Sequence, residues 1–221
     1  MQRKTIPTLA EEEKIWRHGG VLVGVDEVGR GPLAGPVCAT AVAFDLGDAQ
    51  TALFIGELGI NDSKKLSVKK REQIFEALTT HPNVYWATGQ ADEKAIDRIN
   101  ILQASLRAMR HAVGGLQEKC GALKRRELLY IDGREIIPEI ASDQKAIIGG
   151  DAKICSIAAA SIIAKVLRDR MMREYAKQYP QYRFEKHKGY GTKLHFELIK
   201  KHGMSPIHRR SFLKGFKSPT S

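Results

Sequence analysis

Four acidic residues with the chemistry of metal ligands stand at the ends of predicted strands: Asp26, Glu27, Asp132 and Asp151. In an α/β sheet the ends of neighbouring strands converge, so acids that are far apart in sequence can share one pocket. Carboxylates gathered in this way repel one another unless a cation neutralises them. Because oxygen ligands without Cys or His select hard cations, the pattern predicts a Mg²⁺ or Mn²⁺ site.

The adjacent pair Asp26 and Glu27 sets a condition on this site. In a regular strand two neighbouring side chains point to opposite faces, so both can reach one site only if the strand breaks near them. The Gly and Pro residues between positions 29 and 36 predict such a break. Taken singly, an Asp beside a Gly is more simply a turn or cap residue, and the repetition at three strand ends is what favours metal binding.

Charge extends this reasoning to a class of substrate. The chain carries a net charge of +11 over its 221 residues, and a basic protein can bind a polyanion through its phosphates. Beside a carboxylate metal site, that points to phosphodiester hydrolysis, in which two ions about 3.5–4 Å apart stabilise the attacking and leaving oxygens. The basic residues concentrate between positions 183 and 217, where a solvated surface without a partner remains the alternative.

The elements that must position the acids follow from hydrophobic spacing and from breakers. Strands are predicted at residues 21–25, 37–44, 84–91, 128–131 and 146–148, and helices at residues 68–78, 92–113 and 154–179. Gly114 and Gly115 are expected to end the second helix. This order predicts an α/β domain with a mixed sheet.

No stretch is long enough to span a bilayer and no secretory signal is visible, so we expect a cytoplasmic protein with three reduced, buried cysteines.

Seven motifs follow one another along the chain: GVDEVGRGPLAGPV at 24–37, DSKKLS at 62–67, IDRINI at 96–101, IDG at 131–133, GGDAKICSIAAASIIAKVLRD at 149–169, HKGYGT at 187–192 and SPIHRRSF at 205–212. Together they resemble the type 2 ribonuclease H family, in particular bacterial ribonuclease HII. The resemblance covers residues 20 to 212 approximately, and seven ordered motifs are far more specific than any one of them.

The resemblance implies a ribonuclease H-like fold, with a central mixed five-stranded sheet flanked by helices. It implies an N-terminal extension at residues 1–19, a catalytic domain at 20–181 and a basic C-terminal helical segment at 182–221, packed on that domain. The implied enzyme is a monomeric endonuclease that hydrolyses the RNA strand of RNA/DNA hybrids and nicks duplex DNA 5′ to embedded ribonucleotides. The cuts leave 3′-hydroxyl and 5′-phosphate ends and serve ribonucleotide removal in DNA replication and repair. No clamp-binding box of the kind that archaeal relatives carry is visible, which argues against recruitment by a sliding clamp.

The family's functional residues map onto this chain one by one. Its metal-binding acids are the four residues that the strand-end argument selects, with Asp26 bridging two ions. The resemblance places Asp151 on the side of the attacking water, and Glu27 with Asp132 on the side of the leaving oxygen. The residues implied to bind substrate are Gly29, Arg30 and Gly31, which read the ribonucleotide, Tyr190, which stacks under its sugar, and the phosphate clamps Lys64 and Lys65. Glycines let a backbone approach the sugar 2′-hydroxyl, the group that distinguishes RNA from DNA.

Several further residues receive weaker assignments. Asp169 lies too far along its helix from Asp151 to be a ligand, and is expected to support the site or to form an ion pair. Ser161 and Lys165 are candidates for contacts to backbone phosphates. Histidines without the spacing of a zinc site are expected to contact solvent or phosphate, and these are His187, His195, His202 and His208.

Two other functions remain open from the sequence. One is a two-metal nuclease without selectivity for ribonucleotides, which Tyr190→Ala would leave largely unaffected. The other is a non-catalytic module that binds hybrids or RNA and uses its carboxylates for a structural ion, in which Asp132→Asn would leave nucleic-acid binding intact.

Overall fold

A computed structural model of the chain describes residues 6–121 and 125–215. The described residues include five strands: β1 (Gly20–Val28), β2 (Val37–Phe44), β3 (Val84–Ala91), β4 (Arg126–Asp132) and β5 (Asp143–Ile147). They form one sheet in the order β3-β2-β1-β4-β5. The pairs β1–β2 and β2–β3 are antiparallel, whereas β1–β4 and β4–β5 are parallel. The predicted central mixed five-stranded sheet is therefore confirmed.

Helices cover both faces of this sheet. They are α1 (Ala10–Arg17), α2 (Ala49–Glu57), α3 (Val68–Thr80), α4 (Glu93–Cys120), α5 (Cys155–Gln178), α6 (Phe184–His187) and α7 (Lys193–His202). Side chains that alternate along a strand reach opposite faces. Val25 packs in the core that α4 covers, and Val42 packs in the core with Ile162 of α5. No helix in residues 6–121 and 125–215 is long and apolar enough to cross a membrane.

Strand β1 differs from the prediction at the point that matters for the acids. It continues through Asp26 and Glu27 to Val28, because β2 provides partners for each residue, including Ala39 opposite Glu27. The strand therefore ends three residues later than predicted, at Val28. The chain leaves the sheet at Gly29, whose φ is +95°, so the break lies where the glycine-rich stretch begins, two residues after Glu27.

Helix α4 also departs from its predicted limits. Gly114 and Gly115 do not end it, and it continues to Cys120. Its one interruption is at Asn100, with φ 65° and ψ 168°, whose Oδ1 accepts hydrogen bonds from the next turn's amides at 2.9 and 3.1 Å. The side chain thus caps the longer part of the helix. Two smaller differences are α2, where no helix was predicted, and β5, which begins three residues earlier than predicted, at Asp143.

The loop between β1 and β2 and the C-terminal segment share one core. The Leu33 amide donates to the Gly189 carbonyl at 2.7 Å, and the Arg209 amide donates to the Leu33 carbonyl at 2.8 Å. Leu33 packs there with Phe184 and Ile199. Residues 1–5 and 216–221 of the predicted terminal segments lie outside the described residues, and the division at 19 and 181 stays a prediction. All three cysteines are buried and unpaired: Cys38, Cys120 and Cys155.

Candidate active site

The four acids lie at one edge of the sheet, at or beyond the ends of three strands. Asp26 is buried, 5% exposed, in the central strand β1. Asp132 is the last residue of β4, which pairs with β1 up to Val25 and Ile131. Glu27 therefore stands beyond the end of β4, where it has no strand neighbour on that side. Asp151 lies in the 3₁₀ turn Gly150–Ala152 that follows β5.

Electrostatics show that these acids share one neighbourhood. Burial, followed by repulsion from Glu27 and Asp132, raises the pKa of Asp26 well above its ordinary value. Burial also raises the pKa of Glu27, with a further contribution from Asp132. The pKa of Asp151 is raised by burial and then by Asp132. Asp132 thus repels each of the other three acids, and it does so from a fixed position, because its Oδ1 accepts the Gly150 amide at 2.7 Å.

The donor set fits a divalent cation by its chemistry. It consists of carboxylate oxygens alone, the ligands of hard cations, and their mutual repulsion is relieved by positive charge. In residues 6–121 and 125–215, no group of three or more His, Cys, Asp or Glu side chains is arranged to hold a metal ion. Glu27 Oε1 instead forms an ion pair with Arg30 Nη1 at 3.2 Å. Cation binding by all four acids therefore requires their side chains to rearrange from these positions.

The structure brings the glycine-arginine-glycine turn together with Tyr190. A methyl group built on Gly31 would lie 4.0 Å from Tyr190 Cε1. Arg30 and Tyr190 are both exposed, and Tyr190 is 40% accessible although it is a large aromatic side chain. An aromatic ring thus lies exposed beside the backbone of a glycine whose neighbour, Arg30, pairs with Glu27.

The two predicted lysine clamps lie on the turn before α3. The positive charge of Lys64 acts on Asp151 and opposes the rise in its pKa. Lys65 pairs with Asp62 at 3.5 Å, with half of the lysine side chain exposed. Asp62 also raises the pKa of Asp151, so this turn lies close to the acids. Asp62 was not predicted to take part in the site, although it is the first residue of the DSKKLS motif.

Ser161 lies closer to the site than predicted. It hydrogen-bonds the Asp26 carboxylate, and its Oγ lies 3.0 Å from Ser63 Oγ. The signal was a serine in an otherwise apolar stretch of helix. Asp169, by contrast, has one of its expected roles, since it forms an ion pair with Lys165 at 2.7 Å.

The histidine prediction is wrong for three of the four residues. His187, His195 and His208 are buried, because their rings pack against the buried ring of Phe184. The Ser205 amide donates to His208 Nδ1 at 2.8 Å, which leaves the proton on His208 Nε2 for His195 Nε2 at 3.0 Å. His195 Nδ1 then donates to the Tyr190 carbonyl at 2.9 Å. Neutral imidazoles thus fix the backbone that carries Tyr190.

Comparisons with known proteins identify the family and agree with the fold. The family model described as ribonuclease HII matches residues 23–215. The chain is 45% identical over 201 residues to a ribonuclease HII of Chlorobium chlorochromatii (strain CaD3), covering 91% of this chain and 93% of that protein.

Two solved structures also match the fold. The ribonuclease H2 of Pyrococcus horikoshii OT3 superposes with a TM-score of 0.67 at 26% identity, over 86% of this chain and 93% of the other. Bst ribonuclease HIII in complex with Mn²⁺ superposes with a TM-score of 0.66 at 18% identity, over 84% of this chain and 63% of the other. The predicted resemblance is confirmed. This chain belongs to the ribonuclease HII family, and it is an enzyme, a hydrolytic nuclease.

Proposed function

We propose that this nuclease cleaves the RNA strand of RNA/DNA hybrids and nicks duplex DNA on the 5′ side of an embedded ribonucleotide. The observation that carries the proposal is that Tyr190 lies near Gly31, 4.0 Å from where a side chain of residue 31 would begin, in a turn that pairs with Glu27. A backbone without a side chain admits a sugar edge, and an exposed aromatic ring offers it a stacking surface. Arg30 of the same turn reaches Glu27, so a sugar held there lies next to the carboxylates.

The proposed metal ions are Mg²⁺ or Mn²⁺, held by Asp26, Glu27, Asp132 and Asp151. Two such ions stabilise the attacking and leaving oxygens of a phosphodiester when they are bound. The binding of Mn²⁺ by the structurally similar Bst ribonuclease HIII supports this choice of ion. The chain itself positions the substrate: Tyr190 stacks against the sugar, and Lys64 lies near Asp151, where a phosphate oxygen would meet its ammonium group.

The test is a gel-resolved cleavage assay on three duplexes of one sequence: all DNA, DNA with one ribonucleotide, and an RNA/DNA hybrid. Each is incubated with Mg²⁺, Mn²⁺ or a chelator. We expect metal-dependent cleavage of the hybrid and a single nick 5′ to the ribonucleotide, with the all-DNA duplex intact. Cleavage of all three duplexes would show a nuclease that does not distinguish ribonucleotides from deoxyribonucleotides. Absence of cleavage with either ion would refute the proposed metal chemistry.

Two variant pairs sharpen this assay. Asp132→Asn should abolish cleavage, whereas Asp143→Asn, an exposed carboxylate at the far end of β5 that pairs with Arg126, should retain it. Tyr190→Ala should lower cleavage at a single ribonucleotide, and Tyr190→Phe should largely restore it, because stacking depends on the ring and not on the hydroxyl.

A further inference from the structure

Arg209 is a fully buried arginine whose hydrogen-bond acceptors are backbone carbonyls. Its relative exposure is 0%. Its Nε, Nη1 and Nη2 atoms donate to the carbonyls of Gly35 (2.9 Å), Arg30 (3.0 Å) and Gly29 (2.6 Å). One guanidinium therefore binds backbone carbonyls near both ends of the loop that follows β1, including those of the first two residues of the glycine-arginine-glycine turn.

Arg168, from helix α5, binds the same loop at the end that leads into β2. It too is 0% exposed. Its three nitrogens donate to the carbonyls of Pro36 (3.0 Å), Lys188 (3.0 Å) and Ala34 (3.1 Å). The guanidinium carbon lies 5.9 Å from the centre of the Tyr190 ring. Arg168 thus connects the loop after β1 with the segment that carries Tyr190.

Neither arginine forms an ion pair with a carboxylate in residues 6–121 and 125–215. A buried charge without a counterion is costly. Burial, and then repulsion from Arg168, lowers the pKa of Arg209 to about 9. Two like charges therefore lie near each other in the interior, where five carbonyls of the loop after β1 and the carbonyl of Lys188 fix their positions.

The direction of these carbonyls decides what the turn presents to solvent. In a trans peptide the C=O and the following N–H point in opposite directions. Because the carbonyls of residues 29 and 30 point inward to Arg209, the amides of Arg30 and Gly31 point away from it. Neither amide has an acceptor among the described residues, and both residues are exposed.

We propose that Arg209 and Arg168 are positioning residues for ribonucleotide recognition, which hold the loop so that the amides of Arg30 and Gly31 face the substrate sugar. This inference rests on the proposed function, in which that turn reads the 2′-hydroxyl. The two arginines make no substrate contact themselves. They replace the flexibility of a glycine-rich loop by a fixed donor arrangement, which lowers the ordering cost of binding.

The test measures discrimination in binding rather than turnover. In an Asp132→Asn background, which stops cleavage while an amide oxygen can still accept the Gly150 amide, fluorescence anisotropy gives Kd for duplex DNA with and without one ribonucleotide. Arg209→Lys keeps the charge but loses the fork that spans three carbonyls. We expect the ratio of the two Kd values to fall by at least about tenfold, with the affinity for all-DNA duplex nearly unchanged.

Leu78→Ala serves as a destabilised control, since Leu78 is fully buried in α3 and packs in a different core cluster from Leu33 of the loop after β1, and its truncation destabilises the fold. It should keep the wild-type ratio.

An unchanged ratio in folded Arg209→Lys would overturn the proposal. If Arg209→Lys does not fold, Arg168→Lys provides the same comparison, and failure of both to fold would make the arginines elements of global stability and refute a positioning role. A ratio near one in Asp132→Asn alone would instead refute ribonucleotide reading itself.

Discussion

Alanine substitutions at Gly29 and Gly31 should separate a glycine needed by the fold from a glycine needed by the substrate. A methyl group on Gly29 would lie 2.3 Å from Arg168 Nε, and φ at this position is +95°. The backbone strain costs about 1 kcal/mol and a displaced buried guanidinium hydrogen bond about 2 kcal/mol more. Gly29→Ala should therefore lose about 3 kcal/mol, or about 6–12 °C in Tm for a chain of this size.

Gly31→Ala should behave in the opposite way. Its φ lies outside the left-handed region, and the closest described atom to a new methyl group is Tyr190 Cε1 at 4.0 Å. Stability should change by less than about 0.5 kcal/mol. The methyl group would, however, occupy the space in which a sugar meets the backbone, so kcat/KM at a single ribonucleotide should fall at least about tenfold, equivalent to about 1.4 kcal/mol.

Thermal unfolding and single-ribonucleotide cleavage, measured on both variants, check the two effects independently. If Gly31→Ala cleaves at the wild-type rate, nothing approaches that backbone closely and the turn is not the reader. If Gly29→Ala melts at the wild-type temperature, the reasoning from the Arg168 contact is wrong.

Three further outcomes follow from the buried ionisable groups. Asp26→Asn should abolish cleavage. It should also raise the free energy of unfolding by about 1 kcal/mol at about pH 8 in chelator, because repulsion at a buried carboxylate is removed. Urea unfolding checks this, and a loss of stability would contradict it. Burial lowers the pKa values of His195 and His208 to about 3 and about 4. As pH falls below about 6.5 the unfolded chain binds protons first, so the folded state should lose about 2 kcal/mol per histidine between pH 7 and pH 5. In urea titrations, His208→Asn should lose less unfolding free energy between pH 7 and pH 5 than the wild-type protein does. An equal loss would show that His208 does not contribute to this pH dependence. The three thiols, whose pKa values burial raises to about 11 or 12, should react with a thiol reagent only after unfolding, and modification of the native protein would show that one of them is accessible.

Much of the candidate site could be predicted because its signal is local. An acid at the end of an apolar run is visible in the sequence, and the three runs that carry Asp26, Asp132 and Asp151 do end at one edge of the sheet. The mixed sheet followed from the order of the elements. What failed were the limits of elements, where tertiary packing overrides local preference. Gly115 stays helical because α4 packs closely on β3, with Ala87 Cβ 3.4 Å from where a side chain would begin.

The residues between positions 183 and 217 could not be read by charge alone. Arg209 and three histidines lie there among many lysines, and composition treats them all as surface. Burial depends on pairing with a distant segment: the Arg209 amide donates to the Leu33 carbonyl, and the Gly189 carbonyl accepts from the Leu33 amide. Hydrophobic periodicity gives no sign of a contact between residues so far apart in the chain.

The span of one of these contacts bears on the order in which the enzyme is made. Arg209 and the Gly29 carbonyl that it holds are separated by 180 residues. Synthesis proceeds from the N-terminus, and contacts of such long range form late in folding. A nascent chain therefore carries all four acids before it carries the arginine that shapes the turn beside them. Under the proposed function, the turn that reads the sugar is fixed last, so a partly synthesised chain holds its four acids beside a loop that Arg209 does not yet hold.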